Sequence, residues 1–192
     1  MTRKINPEEK ETLLTIARQA IEKTLSGEEL PPLSKEGLPP GLFEPGACFV
    51  TLTKAGQLRG CVGSIQATQA LVKDVRDRSI AAAFKDPRFP PVKPQELKEI
   101  EIEVSTLTEP RRLSYDDSDD LTRKLRVGLD GVILKDGFRR ATFLPQVWEK
   151  LPDPELFLSR LCQKMGLAAD AWRYSKMEVE VYQVEKFTER EP

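Results

Sequence analysis

Within the six residues Leu58-Arg59-Gly60-Cys61-Val62-Gly63 the chain brings together a guanidinium, a thiol and two glycines. A thiolate is a nucleophile and a neighbouring cation favours the charged form, so Cys61 and Arg59 are the first candidates for catalysis. On an extended strand residues 59, 61 and 63 point to one face. Gly60 and Gly63 pack no side chain and weaken a strand, which implies that something approaches the backbone closely there and makes both candidates for ligand contact. The plain alternative for Cys61 is a small apolar filler on a buried strand, the commonest fate of a free cysteine. A helix expected to start near Thr68 is the other feature close enough in sequence to support a thiolate, through its positive end.

Asp86, Arg88 and Phe89 form a second candidate group for binding. They sit among Pro87, Pro90 and Pro91, and each proline restricts both itself and the residue before it, so this loop is stiff and carries both charges. It suits closure over a ligand; equally, Asp86 pairs with Arg88 or simply ends the preceding helix. The acidic run Asp116-Asp117-Ser118-Asp119-Asp120 lacks the glycine and terminal glutamate of a calcium loop and reads as a solvated linker with an acid-capped helix, so no metal is assigned.

Composition narrows the chemistry further. Histidine is absent, which removes Ser-His-Asp and Cys-His pairs, His-ligated zinc and the usual near-neutral base. Cys48, Cys61 and Cys162 show no Cys-x-x-Cys spacing, and their odd number suits free thiols in a reducing compartment. The 30 basic and 31 acidic residues nearly cancel, which argues against nucleic acid or anionic lipid as partner. No apolar run approaches the roughly 20 residues of a membrane span, and the first seven residues lack a signal-peptide core. The expected location is the cytosol, and no cofactor is specified by the residues.

These candidates need elements to hold them. Asn6-Pro7-Glu8-Glu9 reads as the capped start of a helix over 7–25 with a stripe of Leu13, Leu14, Ile16, Ala17, Ala20, Ile21 and Leu25, stopped at Ser26-Gly27. Residues 28–46 are rich in proline and glycine and form a long loop, a kind that is usually functional or mobile. A hairpin turning at Lys54-Ala55-Gly56 carries the Leu58–Gly63 stretch. A helix follows from Thr68 to Asp86, with Leu71, Val72, Val75, Ile80, Ala83 and Phe84 on its buried side. Next come an alternating strand through Ile100, Ile102 and Val104, a short helix at Leu121 and Leu125, and a ribbon over 131–144. A helical stretch over 145–165 and a strand over 177–187 finish the chain, with Trp148, Trp172 and Cys162 as core residues.

The halves also align with each other. Residues 54–62 match 135–143, and 98–104 match 176–181, with Glu101 and Glu103 on Glu178 and Glu180. Each half is then strand, turn, strand, helix, strand, and the fold expected is α+β: two lobes, over about 28–110 and 111–188, made by internal duplication of mostly antiparallel sheet, with the first helix packed on the sheet. Cys61 falls opposite Thr142, so the architecture itself does not demand the cysteine. Arg59 and Arg140 occupy equivalent places in this repeat. Two guanidiniums facing one cleft suit a carboxylate or phosphate, each gripped by two hydrogen bonds; the alternative is a pair of solvated arginines.

Leu58–Gly63, Phe84-Lys85-Asp86-Pro87-Arg88-Phe89-Pro90-Pro91, Gly128 with Asp130-Gly131-Val132, and Thr142-Phe143-Leu144-Pro145-Gln146-Val147-Trp148 resemble, in that order, the motifs of the AMMECR family, also called AmmeMemoRadiSam system protein A. The likeness runs over roughly residues 10–188. The family's hexapeptide usually has isoleucine where this chain has Val62, and many members carry a proline where this chain has Gln66-Ala67. The resemblance implies a single α+β domain in two lobes, the hexapeptide near a cleft between them, and association with a radical-SAM protein and a Memo-like protein. It implies no settled activity. The expectation is an enzyme or enzyme component binding a small anionic substrate at Arg59, Cys61 and Arg88; the rival is a non-catalytic adaptor using the same surface.

Overall fold

The computed structural model describes residues 4–190. Helices are set against two antiparallel sheets, so the fold is α+β as the periodicities predict. The chain divides into two compact units: one runs up to Leu107 and takes in the chain again from Glu185, and the other is Thr108–Val184. Among the described residues no helix is long and apolar enough to cross a membrane.

In the first unit, α1 (Pro7–Ser26) begins with a reciprocal cap. The Asn6 side chain accepts the Glu9 N–H at 2.9 Å and the Glu9 carboxylate accepts the Asn6 N–H at 3.0 Å, satisfying two of the donors a helix start leaves open. Gly27, at φ 70°, closes the far end. Strands β1 (Pro45–Lys54) and β2 (Gln57–Gly63) turn through Ala55-Gly56, both at positive φ, the geometry whose twist matches a two-residue hairpin. With β4 (Ile100–Leu107) and β9 (Val184–Thr188) they form the order β2-β1-β4-β9, and β3 (Gln69–Ala70) pairs with Pro45-Gly46. Cys48, Val50 and Leu52 of β1 and Ile100, Ile102 and Val104 of β4 join α1 and α2 (Leu71–Phe84) in one core. Thr51, Thr53, Glu101 and Glu103 take the opposite, half-buried face.

The helix α2 does not use Thr68 as its cap. Residues 69–70 are drawn into pairing with β1, so the helix starts at Leu71 without a side-chain cap, and the Leu71 N–H donates to the Glu44 carbonyl at 2.9 Å.

The second unit holds the order β5-β8-β6-β7, from β5 (Arg111–Arg112), β6 (Gly131–Asp136), β7 (Arg139–Phe143) and β8 (Glu178–Tyr182). Its helices are α3 (Ser118–Lys124), capped by Asp117 within the acidic run, α4 (Pro154–Lys164) and the short α5 (Ala171–Tyr174). Two expectations change here. The helical stretch over 145–165 is a 3₁₀ turn, Pro145–Glu149, and then α4, because Asp153 accepts the N–H groups of Glu155 and Leu156 and starts a new helix. The strand over 177–187 is two strands broken at Gln183, and they belong to different sheets. At the break the Gln183 N–H donates to Thr108 Oγ1 at 2.8 Å, and the Gln183 carbonyl accepts the Thr108 N–H at 2.9 Å. Trp148 and Cys162 are core, as expected; Trp148 also has an aromatic partner the sequence did not reveal, stacking on Phe157 at 3.7 Å between centroids.

The two units share a strand plan. Thr51 sits between Cys61 and Glu103, and Ile133 sits between Thr142 and Glu180, so the register reproduces the alignment of Cys61 with Thr142 and of Glu103 with Glu180.

Candidate functional site

The pairing of β1 with β2 slips between Leu52 and Thr53: Leu52 faces Gly60 and Thr53 faces Leu58, leaving Arg59 as an extra residue. Such a bulge breaks the two-residue alternation and re-aims a side chain. Arg59 Nε and Nη2 accordingly donate to the two carboxylate oxygens of Glu96 at 2.9 and 3.0 Å. This two-pronged pair, joined by the Lys93 N–H, holds the Glu96 carboxyl at about 2. Arg59, expected beside the Cys61 thiol, thus gives its Nε–Nη2 edge to Glu96, while its Nη1 is buried without a hydrogen-bond partner.

The glycines are explained by the chain's own packing. A Cβ on Gly60 would lie 2.2 Å from the Ala82 carbonyl oxygen, and one on Gly63 would lie 2.3 Å from the Phe49 ring and 2.6 Å from the Cys48 carbonyl oxygen. The close approach inferred from the sequence is real, but the atoms that approach belong to α2 and β1. Packing alone therefore accounts for the lack of a side chain at Gly60 and Gly63.

Cys61 faces Thr51, whose hydroxyl donates to the sulfur at 3.4 Å. Its peptide is clamped from the loop after α2: the Cys61 N–H donates to Asp86 at 2.9 Å, and Arg88 Nη2 donates to the Cys61 carbonyl at 3.1 Å. Asp86 is buried and also accepts Arg88 N, Nε and Nη2. The Arg88 guanidinium above all, with the Cys61 N–H, holds its carboxyl well below the usual carboxylate range, and Asp86 in turn raises Arg88. The loop is fixed by the Val92 N–H donating to the Ala83 carbonyl at 2.9 Å and by the Arg88 guanidinium over the Phe89 ring at 5.5 Å. Asp86, Arg88, Phe89 and Cys61 are thus brought together as one assembly, and the Arg88 side chain stays 53% exposed.

The other cysteines differ. Cys48 and Cys162 are fully buried, and burial first, then Asp74, pushes the Cys48 thiol up. Asp74 is a polar anchor the sequence reading missed: it accepts Cys48 N–H, Ser64 Oγ, Gln69 Nε2 and Arg78 Nε, all between 3.0 and 3.1 Å. Its position three residues after Leu71 and just before Val75, inside the apolar stripe, was the available signal. Arg140 lies exposed on β7 in the second unit, opposite Lys135. Among the described residues no three carboxylates or thiols converge as a metal-ligand set.

The AMMECR1 family model matches residues 14–187. A protein of Methanothermobacter thermautotrophicus is 40% identical over 96% of this chain and 96% of its own length. A protein of Thermofilum pendens is 37% identical over 98% of this chain and 93% of its own. The crystal structure of an uncharacterized protein from Pyrococcus horikoshii, 37% identical, superposes with a TM-score of 0.85 over 98% of this chain and 95% of that one. With the match spanning nearly the whole chain in both sequence and fold, the protein belongs to the AMMECR1 family.

Proposed function

We propose that this AMMECR1-family protein is an enzyme or enzyme component whose working group is the Cys61 thiol, acting as nucleophile or as acid and base on a small anionic substrate held by Arg88. The observation that carries the reading is the contrast among the thiols. Cys61 alone stands on the sheet face away from the core, partly exposed, with a hydroxyl donor on its sulfur and a half-exposed guanidinium clamped to its own peptide. A nucleophile held between fixed donors, on a strand rather than a mobile loop, is the arrangement thiol chemistry needs. Arg59 is given no part in this step, because its Nε and Nη2 are engaged by Glu96.

A second reading is favoured by the internal pairing of the charges. Arg59 with Glu96 and Arg88 with Asp86 are internal pairs, and both glycines are accounted for by packing, which suits a rigid non-catalytic surface that docks a radical-SAM or Memo-like partner in the cytosol. Brief treatment of the folded protein with iodoacetamide, followed by peptide mass mapping, separates the two. The thiol reading expects Cys61 to be alkylated before denaturation while Cys48 and Cys162 stay protected. Modification of Cys61 only after unfolding would remove it as a working thiol.

A further inference from the structure

The sheet face that carries Cys61 also carries a carboxylate with no cation on it. Thr51 pairs with Cys61 of β2 on one side and with Glu103 of β4 on the other, so the three side chains project from one face in one row. The Thr51 hydroxyl donates to the Cys61 sulfur at 3.4 Å. Adjacent strands run about 4.8 Å apart, which sets the Cys61 and Glu103 backbones about 10 Å from each other. Their side chains span part of that distance, and a gap about one small molecule wide remains over Thr51.

The neighbouring acids are engaged by cations. Asp86 takes Arg88 and the Cys61 N–H, Glu96 takes Arg59, and Glu99 takes Lys54. Glu101, two residues from Glu103 on the same face, pairs with Arg190 at 3.3 Å. Glu103 differs. It is half-buried, it accepts the Ser105 hydroxyl at 3.3 Å, and among the described residues it has no cationic partner. A guanidinium beside a carboxylate favours its charged form, whereas a carboxylate held by a hydroxyl is freer to take up a proton and give it away. In a chain without histidine, Glu103 is the group on this face suited to that work.

We propose that Glu103 is the proton carrier of the Cys61 site, and that the site takes a small monocarboxylate whose electrophilic carbon lies over Thr51 and whose departing atom is oxygen. The proposal rests on the reading of Cys61 as the working thiol. The substrate carboxylate meets Arg88, which is clamped to β2 at the edge of the sheet, and the departing oxygen lies toward Glu103. As sulfur bonds to the carbon, the carbon–oxygen bond breaks and its electron pair leaves on the oxygen. The thiol proton passes to the Glu103 carboxylate and from it to that oxygen, so no bare alkoxide is released.

The test uses two small monocarboxylates that alkylate thiols, glycidate and iodoacetate, on the full-length protein at neutral pH, with Cys61 followed by peptide mass mapping. Opening the glycidate ring puts charge on an oxygen that a proton relieves; iodoacetate releases iodide and needs no proton. The glycidate-to-iodoacetate rate ratio at Cys61 should be at least tenfold higher in the folded protein than in urea, a modest share of the roughly 10²–10⁴ that general acid–base help supplies. Glu103→Gln should return the ratio to its value in urea. A ratio equal in folded and unfolded protein, or one that Glu103→Gln leaves unmoved, would overturn the proposal, while reaction of folded Cys61 with iodoacetate keeps the thiol reading intact. Failure of both reagents to modify folded Cys61 would overturn the two together. The comparison of folded with unfolded protein uses the unaltered chain, so it stands even where Glu103→Gln fails to fold.

Discussion

Gly60→Ala tests whether the hexapeptide glycine serves the fold or a ligand. The new Cβ would stand 2.2 Å from the Ala82 carbonyl oxygen and 3.1 Å from its carbon, where Cβ atoms keep at least 3.0 Å, so strand and helix must part by about 0.8 Å. The obstructing atom is main chain in the last turn of α2 and cannot rotate aside. Overpacking costs about 1–3 kcal/mol, and a backbone obstacle belongs at the upper end; the stiffer unfolded chain of alanine returns about 0.4–1 kcal/mol. A net loss of about 2 kcal/mol follows, a fall in Tm of roughly 4–8 °C for a chain of this size. The readout must be chosen with care, since both tryptophans and all three tyrosines lie between Tyr115 and Tyr182, in the second unit. Far-UV circular dichroism in urea, together with hydrogen exchange on peptides from β2 and the end of α2, reports on the first. The Cys61 amide should exchange faster, because displacing Ala82 carries Asp86 away from it. An unchanged urea midpoint with unchanged exchange would refute the packing account and return Gly60 to the ligand reading.

Two further perturbations follow from the same geometry. The Glu96 carboxyl sits at about 2 in the folded protein, below its unfolded value of roughly 4.3, so its pairing stabilises the fold above that value and is lost as pH falls through about 4 to 2. Asp86, also lowered, acts in the same direction. Glu96→Gln should flatten the acid limb of a stability-against-pH curve, and identical limbs in variant and wild type would count against the Arg59 pair. In the second unit, Gly131→Ala would place a Cβ 2.4 Å from the Tyr182 ring, which is buried and tied through its hydroxyl to Thr142 and Phe143. A loss of about 1–3 kcal/mol is expected, read from Trp148 and Trp172 emission in urea; an unmoved midpoint would mean the ring has room to turn.

What the sequence made legible was local. The Asn6-Pro7 start and Gly27 stop, the turn at Ala55-Gly56 and the alternation of Ile100, Ile102 and Val104 depend on neighbours within a few positions, and each formed as read. The site was legible as a stretch, but its partners were not. Glu96 is 37 residues from Arg59, and nothing in the spacing announces that a bulge will turn the arginine toward it. Two breaks differ in kind. Asp153-Pro154 is a visible helix-start signal inside what read as one helix, whereas Gln183 breaks its strand with no glycine or proline to mark it. The Asp86–Arg88 clamp lay between, since a stiff loop with both charges was visible and its grip on the Cys61 peptide was not.

Thr108 and Gln183 bond to each other in both directions, so the excursion of chain between them leaves and re-enters at a single point. A bridge of a few residues could join that point directly, and chain-closure entropy changes only slowly with the length removed. The codons between those two positions therefore behave as a portable cassette, one that recombination could delete, exchange or graft elsewhere without severing a single strand of the sheet that carries Cys61.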